Sequence, residues 1–269
     1  MISQASIAAS YGKPRAWRPA PLASFSLALH AAAAVALVVD PAAWPWILGA
    51  LAANHAFIAA AVCRPRARLL GPNVNRLPAE AARRREVALT FDDGPDPRIT
   101  PGILAWLDRH GAKASFFCVG EKAAAHPEIV KEIARRGHGV ENHSYRHSPA
   151  FACFGIGRMS REIELAQQVL SRLTGRAPGF FRAPAGFRSP LLDFVLARRG
   201  LRYVSWTRRG FDAKCSDARR VLARLTHGLA AGDVLLLHDS SPVVLEVLPA
   251  LLEELSARGL KSVSLSVAL

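Results

Sequence analysis

Two adjacent carboxylates, Asp92 and Asp93, stand where an apolar run over residues 87–91 meets Gly94-Pro95. Side chains alternate along a strand and diverge where it breaks into a loop, so neighbours there can take different jobs. One can hold a metal while the other faces substrate as a base. Two imidazoles follow in His143-Ser-Tyr-Arg-His147, and a third, His238, ends the apolar run 234–237. One carboxylate and two neutral imidazoles leave positions open on a divalent ion for water and a substrate oxygen. Such an ion acidifies water and polarises an amide carbonyl. Amide hydrolysis then needs a base for the water proton and an acid for the leaving amine, roles open to Asp92 and His238. Each residue taken singly has a plain structural explanation, an Asp pair before Gly-Pro being an ordinary turn former. Their combination points to a site.

Short β-rich runs alternate with amphipathic stretches from Glu86 onward. The pattern predicts strands at 87–91, 114–119, 139–142, 179–181, 203–206, 234–237 and 262–265. Helices are predicted at 100–110, 127–136, 160–173, 190–199, after Ser216, and at 242–258. Thr100 is expected to cap the first of these, with Pro101 in its first turn. About seven alternations imply a parallel α/β sheet, doubly wound or closed into a barrel. The chemically loaded residues all fall at the carboxyl ends of predicted strands, where barrel enzymes build their sites.

Five stretches in this half closely resemble the motifs of the polysaccharide deacetylase family, the NodB homology domain of carbohydrate esterases. They are Thr90-Phe-Asp-Asp-Gly94, His143-Ser-Tyr-Arg-His147-Ser148, Arg182-Ala-Pro-Ala-Gly186, Trp206 with Asp212, and Leu236-Leu-His238-Asp239. The resemblance covers about residues 86–265 and implies an irregular (β/α)7 barrel-like fold. It implies Asp92 as general base, with Asp93, His143 and His147 as metal ligands. Arg182 would contact the base carboxylate, Asp212 would orient His238, and His238 would be the general acid. The backbone N–H of Ala185 would meet the oxyanion. The metal is expected to be zinc or another divalent ion. Two positions depart from the family pattern: Ala185 stands where Tyr is usual, and Ala213 where Trp usually walls the acyl pocket. The second predicts tolerance of an acyl group larger than acetyl.

The first third of the chain is different. Residues 21–39 and 42–63 are almost wholly apolar, each about long enough to cross a bilayer, with Trp44 and Trp46 suited to an interface. Arg64-Pro-Arg-Ala-Arg68 follows where a signal peptide would have a small-residue cleavage site. The expected organisation is a basic tail (1–20), a two-helix membrane hairpin (21–63), a basic linker (64–85) and the deacetylase domain (86–269). The formal charge is +14, and the first 85 residues hold ten Lys and Arg against Asp40 and Glu80 alone. No nucleic-acid recognition motif accompanies this charge, so attraction to anionic lipid or glycan explains it better. Basic residues flank both outer ends of the hairpin, which places those ends and the catalytic domain on the cytoplasmic face of a bacterial-type inner membrane. None of Cys63, Cys118, Cys153 and Cys215 has metal-knuckle spacing. Cys63 and Cys118 read as small buried hydrophobes, Cys153 and Cys215 as unpaired loop thiols. His110, His126, His138 and His227 read as surface residues.

The function that follows is metal-dependent removal of an N-acyl group from an amino sugar. From the cytoplasmic face the substrate would be a lipid-linked or nucleotide-linked sugar. Two other classes share parts of the pattern. An iron(II) oxygenase uses two His and one carboxylate but has no role for Asp92 and His238. A membrane-tethered glycan-binding protein on a decayed scaffold would have no need of the proton-transfer groups.

Overall fold

A computed structural model describes residues 14–269, so most of the predicted N-terminal tail lies outside the described residues. Helices α1 (Pro21–Val39) and α2 (Trp44–Val62) form an antiparallel hairpin joined by a short 3-10 turn, Pro41–Ala43. Asp40 caps that turn by accepting from the Ala42 N–H at 3.1 Å. Between the helices Asn54 Nδ2 donates to Ser26 Oγ at 2.9 Å, and the His30 and His55 rings stand 5.3 Å apart. Only 11% of either apolar window is buried. Among the described residues Phe25, Val38, Val39 and Trp46 are exposed. A soluble core helix would be largely enclosed; these two are not.

Both outer ends of the hairpin are fixed to the rest of the chain. Leu22, Ala61 and Leu70 pack together with Ile58 and Val62. The Leu22 N–H donates to the Leu69 carbonyl at 3.4 Å, and Trp17 meets Phe194 edge-on. Arg15 bonds the buried carboxylate of Asp193.

The α/β domain is a half-barrel of parallel strands. Among the described residues these are β1 (Glu86–Gly94), β2 (Ala114–Cys118), β3 (Gly139–Asn142), β4 (Phe180–Phe181), β5 (Arg202–Tyr203), β6 (Arg208–Arg209), β7 (Val234–His238) and β8 (Lys261–Ser262). The order is β5-β4-β3-β2-β1-β7-β6, with β8 beside the start of β1. The central strands are buried on both faces, as parallel strands under helices must be, and so read in sequence as unbroken apolar runs. Leu89, Phe91, Phe116 and Leu237 pack outward against Ile103, Leu104, Val130, Val221 and Leu251 of the surrounding helices. Ala88, Phe117, Val204 and Val234 fill the inside with Leu77 and Leu265.

The expected linker, residues 64–85, is folded along the open side of the half-barrel. Val74 donates to the Tyr203 carbonyl at 3.0 Å and accepts from the Ser205 N–H at 2.9 Å. Thr207 Oγ1 donates to the Asn75 carbonyl, and Arg76 bonds the buried Asp233. The segment starts beside the carboxyl ends of the strands and reaches their amino ends at Gly232, whose N–H donates to the Glu86 carbonyl.

Several local expectations need correction. Thr100 is the first residue of its helix (Thr100–Arg109), and Ile99 holds the cap position. The Thr100 hydroxyl instead accepts from the Asp96 N–H and donates to Asp239 Oδ1 at 2.7 Å. Cys63 is exposed at the end of α2; only Cys118 is a buried thiol, and all four cysteines are free. His138 is buried, not on the surface, and its Nδ1 accepts from the Ala114 N–H. Burial pushes its pKa down to about 4. Strand β6 lies outside the predicted strands, because two arginines carry no β signal of their own and pair with Leu235 and Leu236 only through long-range register.

Candidate active site

The carboxyl end of β1 splits the two aspartates. Strand register is lost between Asp92 and Gly94, and Asp93 takes a left-handed backbone (φ 70°). A non-glycine residue adopts that region only where the surroundings over-determine it. The break cancels the alternation of side chains, so Asp92 and Asp93 serve the same face of the barrel. Asp92 pairs in register with His238 across β1 and β7, which brings the base and acid candidates to one place.

The second motif leaves β3 through two more left-handed residues, Ser144 (φ 63°) and His147 (φ 52°). Asn142 holds the turn: its Nδ2 donates to the Ile163 carbonyl and Gln167 Oε1, and its Oδ1 accepts from the Ser144 N–H. His143 Nε2 lies 3.3 Å and His147 Nε2 3.1 Å from Asp93 Oδ1. One ligand atom from each of the three lies within 4.8 Å of the others, a spacing that fits a shared cation. His143 Nδ1 is 2.8 Å from the Arg182 carbonyl. That contact fixes the proton on Nδ1 and frees Nε2 as a ligand. Burial raises the Asp93 pKa, but protonated rings at His143, by hydrogen bond and charge, and at His147 and His238, by charge, outweigh it and hold the carboxyl below its usual range; with neutral His143 and His147 rings a cation takes over that charge. Burial and the neighbouring His143 push His147 down to about 4, so its ring is neutral and ligand-ready at neutral pH.

Arg182 leaves β4 into the barrel and is fully buried. Its guanidinium donates to Asp92 Oδ1 (2.6 Å), Thr90 Oγ1 (3.0 Å) and the carbonyls of Val204 and Ser205, and lies over the Phe117 ring at 4.1 Å. Asp92 Oδ2 is 3.8 Å from His143 Nε2. The base candidate therefore spans the buried arginine and the cation cluster. Two residues after the Arg182-Ala183 pair, Ala185 sits in a tight turn with φ 55°. Gly186 follows with φ 75°; a Cβ there would stand 2.6 Å from the Trp206 ring and 3.1 Å from Pro65.

His238 closes the constellation. Its Nδ1 is 2.9 Å from Asp212 Oδ1, while its backbone N–H donates to Asp212 Oδ2 at 2.7 Å. Burial lowers the His238 pKa, but the Asp212 hydrogen bond and charge, then the charges of Asp92 and Asp93, raise it above the ordinary imidazole value. The arrangement offers a carboxylate, an imidazole whose protonated form Asp212 favours, and a three-ligand cation cluster on one barrel face.

Three supporting residues had no role in the sequence reading. Asp239 is buried, accepts from Thr100 and uses its backbone N–H to bond the Asp92 carbonyl at 2.8 Å. Burial pushes its pKa up to about 7, against the Thr100 hydrogen bond. Gly94 is required beside it, because a Cβ there would overlap the Asp239 carboxyl. Lys122 Nζ donates to the Asp93 carbonyl at 2.6 Å, and Glu162 accepts from the Arg146 N–H within the histidine loop. An acid directly after His238 was the one visible signal; the other two depend on contacts 29 and 16 residues apart in sequence.

Comparison with known proteins gives the family of the chain. The family model "Polysaccharide deacetylase" matches residues 79–204. A chitooligosaccharide deacetylase of Azorhizobium caulinodans is 33% identical over 58% of this chain and 74% of its own length. This chain belongs to the polysaccharide deacetylase family. A peptidoglycan-N-acetylglucosamine deacetylase of Bacillus cereus is 35% identical over 67% of this chain, which spans 66% of that relative. The crystal structure of a peptidoglycan N-acetylglucosamine deacetylase, held with an N-hydroxybenzamide ligand, superposes with TM-score 0.68 at 32% identity. It covers 73% of this chain and 92% of that one. The half-barrel is thus the fold of this family, and the hairpin precedes the segment matched by the family model.

Proposed function

We propose that this family member hydrolyses the N-acyl amide of an amino sugar, acetyl in the first instance, at a membrane surface. The observation that carries the reading is the convergence of Asp93, His143 and His147 beside the Asp92–Arg182 pair, with His238–Asp212 at the same strand ends. The donor set of two imidazole nitrogens and one carboxylate fits zinc, and other divalent ions are compatible with it. When bound, such an ion supplies Lewis acidity toward the amide carbonyl and water.

The chain's own groups account for the proton transfers. Asp92, held by Arg182, accepts the proton of the water that adds to the amide carbon. The Ala185 N–H donates to the oxygen on which negative charge develops. His238, kept cationic by Asp212, gives its Nε2 proton to the leaving nitrogen as the C–N bond breaks. The products are one carboxylic acid and one free amine. Ala213, in place of a wall of the acyl pocket, extends the acceptable acyl group beyond acetyl. Strict acetyl preference in a comparison with propionyl and longer amides would overturn that part.

Helices α1 and α2 serve as the membrane anchor, which their exposed apolar surfaces support. The basic residues at their outer ends favour the cytoplasmic side. A reporter fused after Leu269 and active only outside the cytoplasm would reverse the orientation. The reaction itself is tested by incubating the full chain, with zinc, with N-acetylated amino-sugar oligomers. Equimolar acetate and amine support it; neither product, with any divalent ion, rejects it.

The raised pKa of His238 sets the alkaline limb of the rate profile. The folded state favours the protonated ring, so this stabilisation is present below the unfolded pKa and is lost as pH rises through the folded one. Asp212→Asn removes the largest raising contributions. The kcat profile should then lose its alkaline limb at lower pH, with kcat down roughly 10²-fold. An unmoved limb would remove His238 from the acid role.

A further inference from the structure

The juxtamembrane turn Arg64-Pro65-Arg66-Ala67 is built into the mouth of the candidate site. The carbonyl of Val62, the last residue of α2, accepts from the Arg188 N–H at 3.3 Å. Arg188 itself is buried, and its guanidinium donates to the Gly71 carbonyl at 2.9 Å. Asn73 Nδ2 donates to the Pro65 carbonyl at 2.8 Å, and Asn73 Oδ1 accepts from Ser205 Oγ beside the Arg182 guanidinium. Pro65 reaches Gly186, the neighbour of Ala185, across a gap that admits no Cβ. The membrane end of α2 and the oxyanion turn are therefore one packed unit.

Immediately beside Pro65 lies a cavity of about 500 Å³. Its hairpin side is apolar, made by Phe57, Ala60 and Ala61; its other side is the turn itself with Arg64 and Arg66. Both guanidinium groups are exposed, and neither has a hydrogen-bond or ion-pair partner among the described residues; the same holds for Arg68 two residues on. Arginine is suited to phosphate because its planar fork matches two oxygens at once. An apolar trough open toward the exposed hairpin, unpaired guanidinium groups at its rim and a sugar-amide site beyond Pro65 form a graded surface. Its order is hydrocarbon, anion, sugar.

We propose that the cavity and Arg64–Arg66 form a subsite for the lipid phosphate of a phosphate-linked glycolipid whose amino sugar enters the candidate active site. This deepens the reading above and rests on it. The hydrocarbon lies along Phe57, Ala60 and Ala61, the phosphate meets Arg64 and Arg66, and Pro65 sets the distance from the anion to the scissile amide. A free glycan engages only the last of these three zones.

The test uses the full chain in neutral phosphatidylcholine vesicles with zinc and three probes. They are a prenyl-phosphate-linked N-acetyl amino sugar, the same sugar phosphate without lipid, and an N-acetyl chitooligosaccharide. The expected kcat/KM for the lipid-linked probe exceeds that for the lipid-free phosphate at least 100-fold. The double variant Arg64→Gln/Arg66→Gln should cut the lipid-linked to chitooligosaccharide ratio at least 10-fold, and Ala60→Trp, which fills the trough, should do the same. Binding of prenyl phosphate itself, measured without turnover, should weaken at least 10-fold in the double variant. Equal rates on all three probes, or a uniform loss in both variants, overturns the subsite. Arginine-dependent binding of prenyl phosphate with no hydrolysis of any probe keeps the subsite and rejects the deacylase reading. Hydrolysis of the soluble probes without arginine-dependent binding does the reverse. If anionic vesicles alone restore binding in a manner that Arg64 and Arg66 govern and prenyl phosphate does not, the turn is a general membrane contact and the subsite is rejected.

Discussion

Asp92→Asn should abolish measurable deacylation, with kcat down roughly 10²- to 10⁴-fold, the span expected for loss of a positioned general base. The substitution keeps size and shape, and Asn Oδ1 can still accept from Arg182, so the fold should survive. None of the three atoms clustered for the cation comes from Asp92, and metal content should be unchanged. The check is steady-state release of amine alongside metal analysis of the same preparation. A variant that keeps most of its activity would show that another group takes the water proton. A glycan-binding protein without chemistry would give the same sugar affinity in both forms and no turnover in either.

Arg182→Ala should have the largest effect on the molecule as a whole. The guanidinium is fully buried and donates to four separate acceptors on β1 and around β5. Its loss leaves Asp92, itself buried, without its cationic partner. Removing one member of a buried ion pair costs about 3–5 kcal/mol, because the remaining charge stays desolvated. For a chain of this size each kcal/mol moves Tm by about 2–4 °C, so a fall of roughly 10 °C is expected. Coupling separates the ion pair from simple cavity formation. Adding Asp92→Asn to Arg182→Ala should recover part of the lost stability, since the stranded carboxylate is then gone. Strict additivity would mean that Arg182 acts by packing on Phe117 and Trp206 and not by holding Asp92.

The sequence made the chemical residues readable because each lies at the end of an apolar run, and parallel strands under helices display such runs openly. Register then did what no local pattern can: it set Asp92 opposite His238, 146 positions later in the chain. The left-handed turn at Asp93 that turns both carboxylates to one face has no propensity signal, since it is imposed by the break in β1 pairing. Asp239 was visible as an acid but silent as to role, because its partner Thr100 belongs to a helix start that local rules assign to capping. The segment 64–85 shows the same limit. Its Pro, Gly and Asn content reads as linker, yet Val74, Asn75 and Arg76 close the open edge of the half-barrel through backbone and side-chain bonds to residues beyond 200.

That closure also explains why the hairpin and the catalytic mouth lie together. The segment begins at the site face, beside Gly186, and must reach the opposite end of the barrel before β1 can start. A hairpin attached at its upper end is held at the strand carboxyl ends by geometry. The nearness of the candidate site to the hairpin follows from chain direction.

Cation occupancy tests the central arrangement most directly. The full chain, stripped by chelator and reloaded with zinc, should bind one ion per chain. Anomalous scattering from crystals of that material should locate it between Asp93, His143 and His147. Asp92→Asn should keep the ion, and His143→Ala should lose at least 10-fold in affinity. An ion bound elsewhere, or full binding by His143→Ala, would contradict the account.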